Sequence, residues 1–166
     1  MHDPKAEGRR WLALAENDPA FARHALQGEF FYQVCFVCQP CVAKALKALR
    51  YARGARNVIG HSVVKLLDAT AEVHPALESL RDSGAELDLY YIASRYPNGL
   101  VEGTPHESFT RKQDERALAS GEEGLAAVRG LFRNAGALLI RCGDVVCCGR
   151  EARPIRSQPR GMLHAA

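Results

Sequence analysis

An all-α fold, an antiparallel up-and-down bundle of about five helices, is what this sequence predicts, on three observations. Apolar residues recur at helical spacing through several long stretches. Start and stop signals bracket those stretches: Asp3-Pro4 and Thr110-Arg-Lys-Gln113 at starts, Gly28 and Gly54 at stops. The connections between them are mostly short, which favours antiparallel neighbours.

The first helix begins at Asp3-Pro4, where the carboxylate caps free amides and proline occupies the first turn. Trp11, Leu14, Ala15, Ala22, Ala25 and Leu26 form its apolar side, and Pro19 is expected to kink it or restart it after Asp18. The second helix is expected over residues 29–53, with Phe31, Cys35, Cys38, Val42, Ala45, Leu46 and Leu49 in one stripe and Pro40 bending the polar side. A loop over residues 55–60 leads to a third helix near His61 or Ser62, with Val63, Leu66, Leu67 and Val73 inward. A short helix over 76–82, a break at Gly84 and a fourth helix over 86–94 follow, with Leu87, Tyr90 and Tyr91 inward. Residues 95–109 read as a loop. The last main helix runs from Thr110 to about Phe132, burying Leu118, Leu125, Val128 and Phe132, and Gly121, Gly124 and Gly130 are expected to weaken it. Residues 137–140 and 145–148 are short strands or merely apolar patches. The domain reading is a bundle over residues 1–132 and a basic, cysteine-containing tail over 133–166.

The chain has 166 residues, 47% hydrophobic and 25% charged, the balance of a soluble globular protein. The charged start lacks an apolar leader segment, and no apolar run approaches the ~18 residues of a membrane span. A cytoplasmic protein with no membrane partner is expected. The net charge of +3 is uneven: residues 129–166 hold seven arginines against Asp144 and Glu151, a balance of +5, leaving −2 for the rest. The body is therefore not a broadly basic nucleic-acid platform.

Four groups of residues could carry chemistry. Cys35, Cys38 and Cys41 repeat every three residues, and Cys142, Cys147 and Cys148 lie far along the chain. Together they could supply zinc ligands, but cysteines on an apolar stripe are more simply core residues, so no metal and no cofactor are expected. Arg56 and His61 fit Arg-x4-His, a cation for a scissile phosphate and an imidazole for proton transfer. The plainer reading is that His61, beside Ser62, caps the third helix. Lys44 and Lys47 lie one turn apart on the polar side with Gln33 near, a phosphate-binding pattern that is also an ordinary solvated face. In Arg95-Tyr96-Pro97-Asn98, proline pushes Tyr96 out of helical geometry, so that Arg95 pairs with a bundle acid or a phosphate and Tyr96 stacks on a base or fills the bundle end. No phosphate loop, Gly-x-Ser-x-Gly or His-Glu-x-x-His is present.

Trp11 to Asp18 followed by Ala22 and Leu26, the Tyr32–Leu49 helix with Lys44-Ala-Leu-Lys47-Ala, the Gly60-His61-Ser62 helix start and the Arg95-Tyr96-Pro97-Asn98 turn resemble, in this order, the HEPN domains. The resemblance covers roughly residues 8–132. It implies a bundle of about five helices, commonly a homodimer, that pairs with a minimal nucleotidyltransferase in toxin–antitoxin or defence modules. Nucleotide or RNA phosphate would then be held by Lys44, Lys47, Arg95 and Tyr96. Some HEPN branches are metal-independent ribonucleases using Arg-x4-6-His late in the bundle. Here the matching Arg56 and His61 come earlier, and His106 is too far from Arg95. The family's usual Gln-Gln-Ala-x-Glu-Lys reads Gln39-Pro40-Cys41-Val42-Ala43-Lys44, without the glutamate. A non-catalytic binding subunit is the leading expectation; the alternatives are a ribonuclease toxin using Arg56 and His61, and a ligand-free adaptor.

Overall fold

The computed structural model describes residues 3–143, with side chains described to residue 133. The helices are α1 (Pro4–Gln27), α2 (Phe31–Ala52), α3 (Val63–Ala71), α4 (Arg81–Ala93), the single turn α5 (Pro105–Ser108) and α6 (Arg111–Gly143). Short 3-10 segments, Pro75–Leu80 and Pro97–Gly99, precede and follow α4. No strand occurs among the described residues. Five helices of nine or more residues therefore form the bundle.

The helix starts obey local chemistry. Asp3 accepts from Lys5 N at 2.9 Å, Ser62 Oγ from Lys65 N at 3.2 Å, and Gln113 Oε1 from Thr110 N at 2.9 Å. α2 begins two residues later than expected because Glu29 takes a left-handed φ of 61°. α1 runs unbroken through Pro19, buried within it.

Pairwise contacts fix the directions. Arg23 pairs with Glu122 and Glu16 with Arg129, so α1 and α6 are antiparallel. The Cβ sites of Gly121 and Gly124 meet Cys38 and Val42, so α2 and α6 run in the same sense. Gln39 bonds Asp88 while Arg95 covers Phe36, so α4 opposes α2. The long helices α1, α2, α4 and α6 thus alternate up and down. α3 is an insert running with α2, because the loop after Ala52 returns the chain to Gln39, a distance of ~20 Å along the helix. α2 is central, touching α1, α3, α4 and α6. Its stripe of Val34, Cys35, Cys38, Val42, Ala45, Leu46 and Leu49 forms the middle of the core.

Several expectations need correction. Gly84 does not break a helix; it is buried in α4, where a Cβ would sit 2.9 Å from Val63 Cγ1. Close approach of α3 selects glycine there. Gly124 likewise admits Val42, with a Cβ placed 2.9 Å from its Cγ2. α6 continues past Phe132 to Gly143, so residues 137–140 are helical. Val73 is exposed, just beyond the end of α3. Residues 144–166, with Cys147 and Cys148, lie outside the described residues.

Candidate functional site

The junction of α2, α3 and α4 is held by one carboxylate. Asp88 accepts from Gln39 Nε2 at 2.9 Å, Ser62 Oγ at 2.7 Å, Val63 N at 2.7 Å and Val64 N at 3.2 Å. It thereby satisfies two free amides of the α3 N-terminus, where an anion is also favoured by the helix dipole. Gln39, almost fully buried, donates again to the His61 carbonyl at 2.6 Å. Residues 61 and 62 are therefore fixed from two other helices.

On this frame the His61 ring remains exposed and stacks on Tyr91, with centroids 5.2 Å apart and planes at 20°. Tyr91 also carries Arg95, whose guanidinium carbon lies 4.3 Å from its ring centre and 4.5 Å from that of Phe36. Such contacts suit a guanidinium, which is planar and weakly hydrated. Arg95 Nε has no hydrogen-bond partner, and among the described residues no carboxylate lies within 4.0 Å of the group. Arg95 is thus a positioned cation without a counter-ion. Tyr96 is extended (φ −130°, ψ 132°) before Pro97 and 52% exposed.

The other expected residues lie elsewhere. Lys44 pairs with Asp18 of α1 at 2.5 Å, both side chains largely covered. Burial raises the Asp18 carboxyl above its ordinary range, with Lys44 pulling it down. Lys47 is 8% exposed, with its ammonium 5.3 Å from the centre of the Trp11 ring, and burial lowers its pKa. The two lysines sit beneath α1, not on an open polar face, because α1 covers that side of α2. They share no contact with Arg95, which faces α4 and the Phe36 end of α2. Arg56 is exposed in the loop and makes no hydrogen bond or ion pair among the described residues. The third helix is capped by Ser62 and Asp88 rather than by the His61 ring.

Cys35, Cys38 and Cys41 are buried free thiols. Burial pushes Cys41 up to about 12, and the other two are raised chiefly by burial as well. They behave as small core residues, poor in thiolate. No group of three metal-ligating side chains occurs among the described residues.

Phe36, Gln39, Asp88 and Tyr91 are the members that sequence reasoning missed. One signal was present: Gln39 lies four residues after Cys35, beside the apolar stripe, where a polar residue needs a partner.

The fold and this cluster define an all-α bundle with an oriented, unpaired arginine on an aromatic support. A family model described as HEPN domain matches residues 9–131, and the chain belongs to that family. The crystal structure of TT1696 from Thermus thermophilus superimposes with a TM-score of 0.70 and 33% identity, covering 74% of this chain and 96% of that one. ST0689, described as an archaeal HEPN homologue, gives a TM-score of 0.63 and 30% identity, covering 80% of this chain and 99% of that one. No curated protein matches the chain. Among the described residues no helix is long and apolar enough to cross a membrane.

Proposed function

We propose that this HEPN chain is a cytoplasmic, non-catalytic binding subunit that holds nucleotide or RNA phosphate at Arg95. In this reading it acts as a homodimer paired with a minimal nucleotidyltransferase in a toxin–antitoxin or defence-type module. The observation that carries the phosphate site is the Arg95 guanidinium, flanked by Phe36 and Tyr91 and lacking a carboxylate. An oriented guanidinium offers paired donors to a phosphate. Tyr96 beside it supplies an exposed ring for a base. Lys44 and Lys47, engaged by Asp18 and Trp11, serve the α1–α2 contact in this proposal. Titration of labelled ATP tests it: Arg95→Ala should weaken binding at least tenfold, while Lys44→Ala should leave it near the parent value. Equal affinity of Arg95→Ala and parent would refute the Arg95 site. Co-purification with a nucleotidyltransferase expressed from the neighbouring gene tests the pairing.

The ribonuclease alternative gains one observation. His61 shares Tyr91 with Arg95, which would put an imidazole and a phosphate-binding cation on one surface. Arg95 then replaces Arg56 as the cation. RNA cleavage that persists in EDTA and disappears in His61→Ala supports this reading; intact RNA with the parent protein rejects it.

A further inference from the structure

The arginines divide into two sets. Arg9, Arg10, Arg23, Arg81, Arg111, Arg116 and Arg129 are all in ion pairs. Arg50, Arg53, Arg56, Arg95 and Arg133 are in none among the described residues, and Lys5, Lys47, Lys65 and Lys112 likewise have no carboxylate within 4.0 Å. Five of them, Arg50, Arg53, Arg56, Lys65 and Arg95, fall in neighbouring parts of the fold. They lie at the end of α2, in the loop after it, on α3 and beyond α4.

Two cavities connect Arg50, Arg53 and Lys65. One, of about 290 Å³, is lined by Arg50, His61 and Lys65 among others. A second, of about 190 Å³, lies between Arg50, Arg53 and Thr70. Arg50 borders both, and no acidic residue lines either. His61 in turn borders the larger cavity and stacks on the ring that carries Arg95. The order Arg53, Arg50, Lys65, His61, Tyr91, Arg95 is thus continuous through shared neighbours. Asp88, the carboxylate at the junction, is occupied by four donors. The positive field is also felt at His74, whose pKa is lowered by burial and by the Arg53 charge.

Unpaired cations in a row cost stability through mutual repulsion unless something offsets them. A mononucleotide would use only one end of this row. A chain of phosphates uses all of it, and the aromatic rings at the Arg95 end suit an unstacked base. Cations tracking a backbone, with rings for bases, is the combination by which single strands are held.

We propose that the groove between the C-terminal half of α2 and α3 binds the backbone of a single-stranded RNA, with Arg53, Arg50 and Lys65 on successive phosphates and the strand continuing past His61 to Arg95. The Arg95 end rests on the reading above; the groove itself does not.

The test compares a labelled single-stranded RNA of ~10 nucleotides with labelled ATP, across a salt series. The proteins are the full chain, Arg50→Gln/Arg53→Gln, Lys65→Gln and Arg95→Ala, each checked for an unchanged melting temperature. The double variant should bind the RNA at least tenfold more weakly, with a salt slope smaller by ~1.4, about 0.7 for each lost phosphate contact. Its ATP affinity should stay at the parent value. Lys65→Gln should lower the slope by ~0.7. RNA affinity and slope unchanged in the folded double variant, or no RNA binding by the parent, would overturn the groove. Equal competition by polyglutamate would also overturn it, since any polyanion would then suffice. Retained ATP and RNA binding in Arg95→Ala removes the Arg95 end and shortens the site to the groove.

Discussion

The Cys41 thiol donates to the Ala15 carbonyl at 3.4 Å, across the α1–α2 contact. That carbonyl is the one Pro19 leaves without its helical partner, because proline at i+4 has no N–H. A thiol of the neighbouring helix thus replaces a missing amide, and α1 continues through its internal proline.

Removal of the thiol should therefore be costly only while the proline is present. Cys41→Ala should lose ~1–2 kcal/mol, combining the lost packing with an unpaired buried carbonyl. In a Pro19→Ala background, where residue 19 brings its own N–H, the loss should shrink. Urea denaturation of the four proteins measures the coupling, and strict additivity would disprove the relationship.

Asp114 should make stability pH-dependent. It is fully buried on α6, accepts from Cys35 Sγ at 3.5 Å and has its other oxygen unpaired. Burial, only partly offset by the Cys35 hydrogen bond and the Arg111 charge, raises it to about 7. The folded state then holds the proton more tightly than the unfolded chain. This contribution is fully present below the ordinary value of 3.8 and is lost as pH rises to about 7. Relative to the parent, Asp114→Asn should gain up to ~4 kcal/mol between pH 4 and pH 8. Parallel stability curves for the two proteins would contradict it.

Three glycines should respond to alanine with opposite signs. Gly84 and Gly124 sit against Val63 and Val42, so a methyl there should cost ~1–3 kcal/mol through overpacking. Gly130 has open space at its Cβ site, and alanine there should stabilise by ~0.5–1 kcal/mol. Melting temperatures that rise for all three would show that helix propensity, not helix spacing, decides.

Asp88→Ala should strip the clamp on α3. Gln39, Ser62, Val63 and Val64 would each lose an acceptor. A loss of ~3 kcal/mol is expected, since several buried donors are left without a partner. Hydrogen exchange at Val63 and Val64 should speed up more than in α6; uniform acceleration would point to a merely global effect.

The parts of the fold set by local chemistry were readable along the chain. Asp3-Pro4, Thr110 with Gln113, and Gly54 mark helix ends because the groups that satisfy those ends are sequence neighbours. Gly84 misled because its reason is α3, whose Val63 lies 21 residues earlier. Lys47 reads as solvated on its own helix, and only the arrival of Trp11 buries it. At the candidate site, Arg95, Tyr96 and His61 stood out by residue type and turn chemistry. Their supports did not: Phe36 and Tyr91 look like ordinary apolar positions until the fold brings them against a guanidinium.

Trp11, the single tryptophan of the chain, stacks on Tyr51 with ring centres 5.5 Å apart, donates its indole N–H to Glu7 and faces the Lys47 ammonium. Its emission therefore reports the closure of α1 on α2 without any added label. Tyr51 lies between Arg50 and Arg53, and its hydroxyl accepts from Val58 N at 3.3 Å, which ties the same ring to the loop beside the groove. Ultraviolet-excited fluorescence can therefore follow unfolding of every variant above.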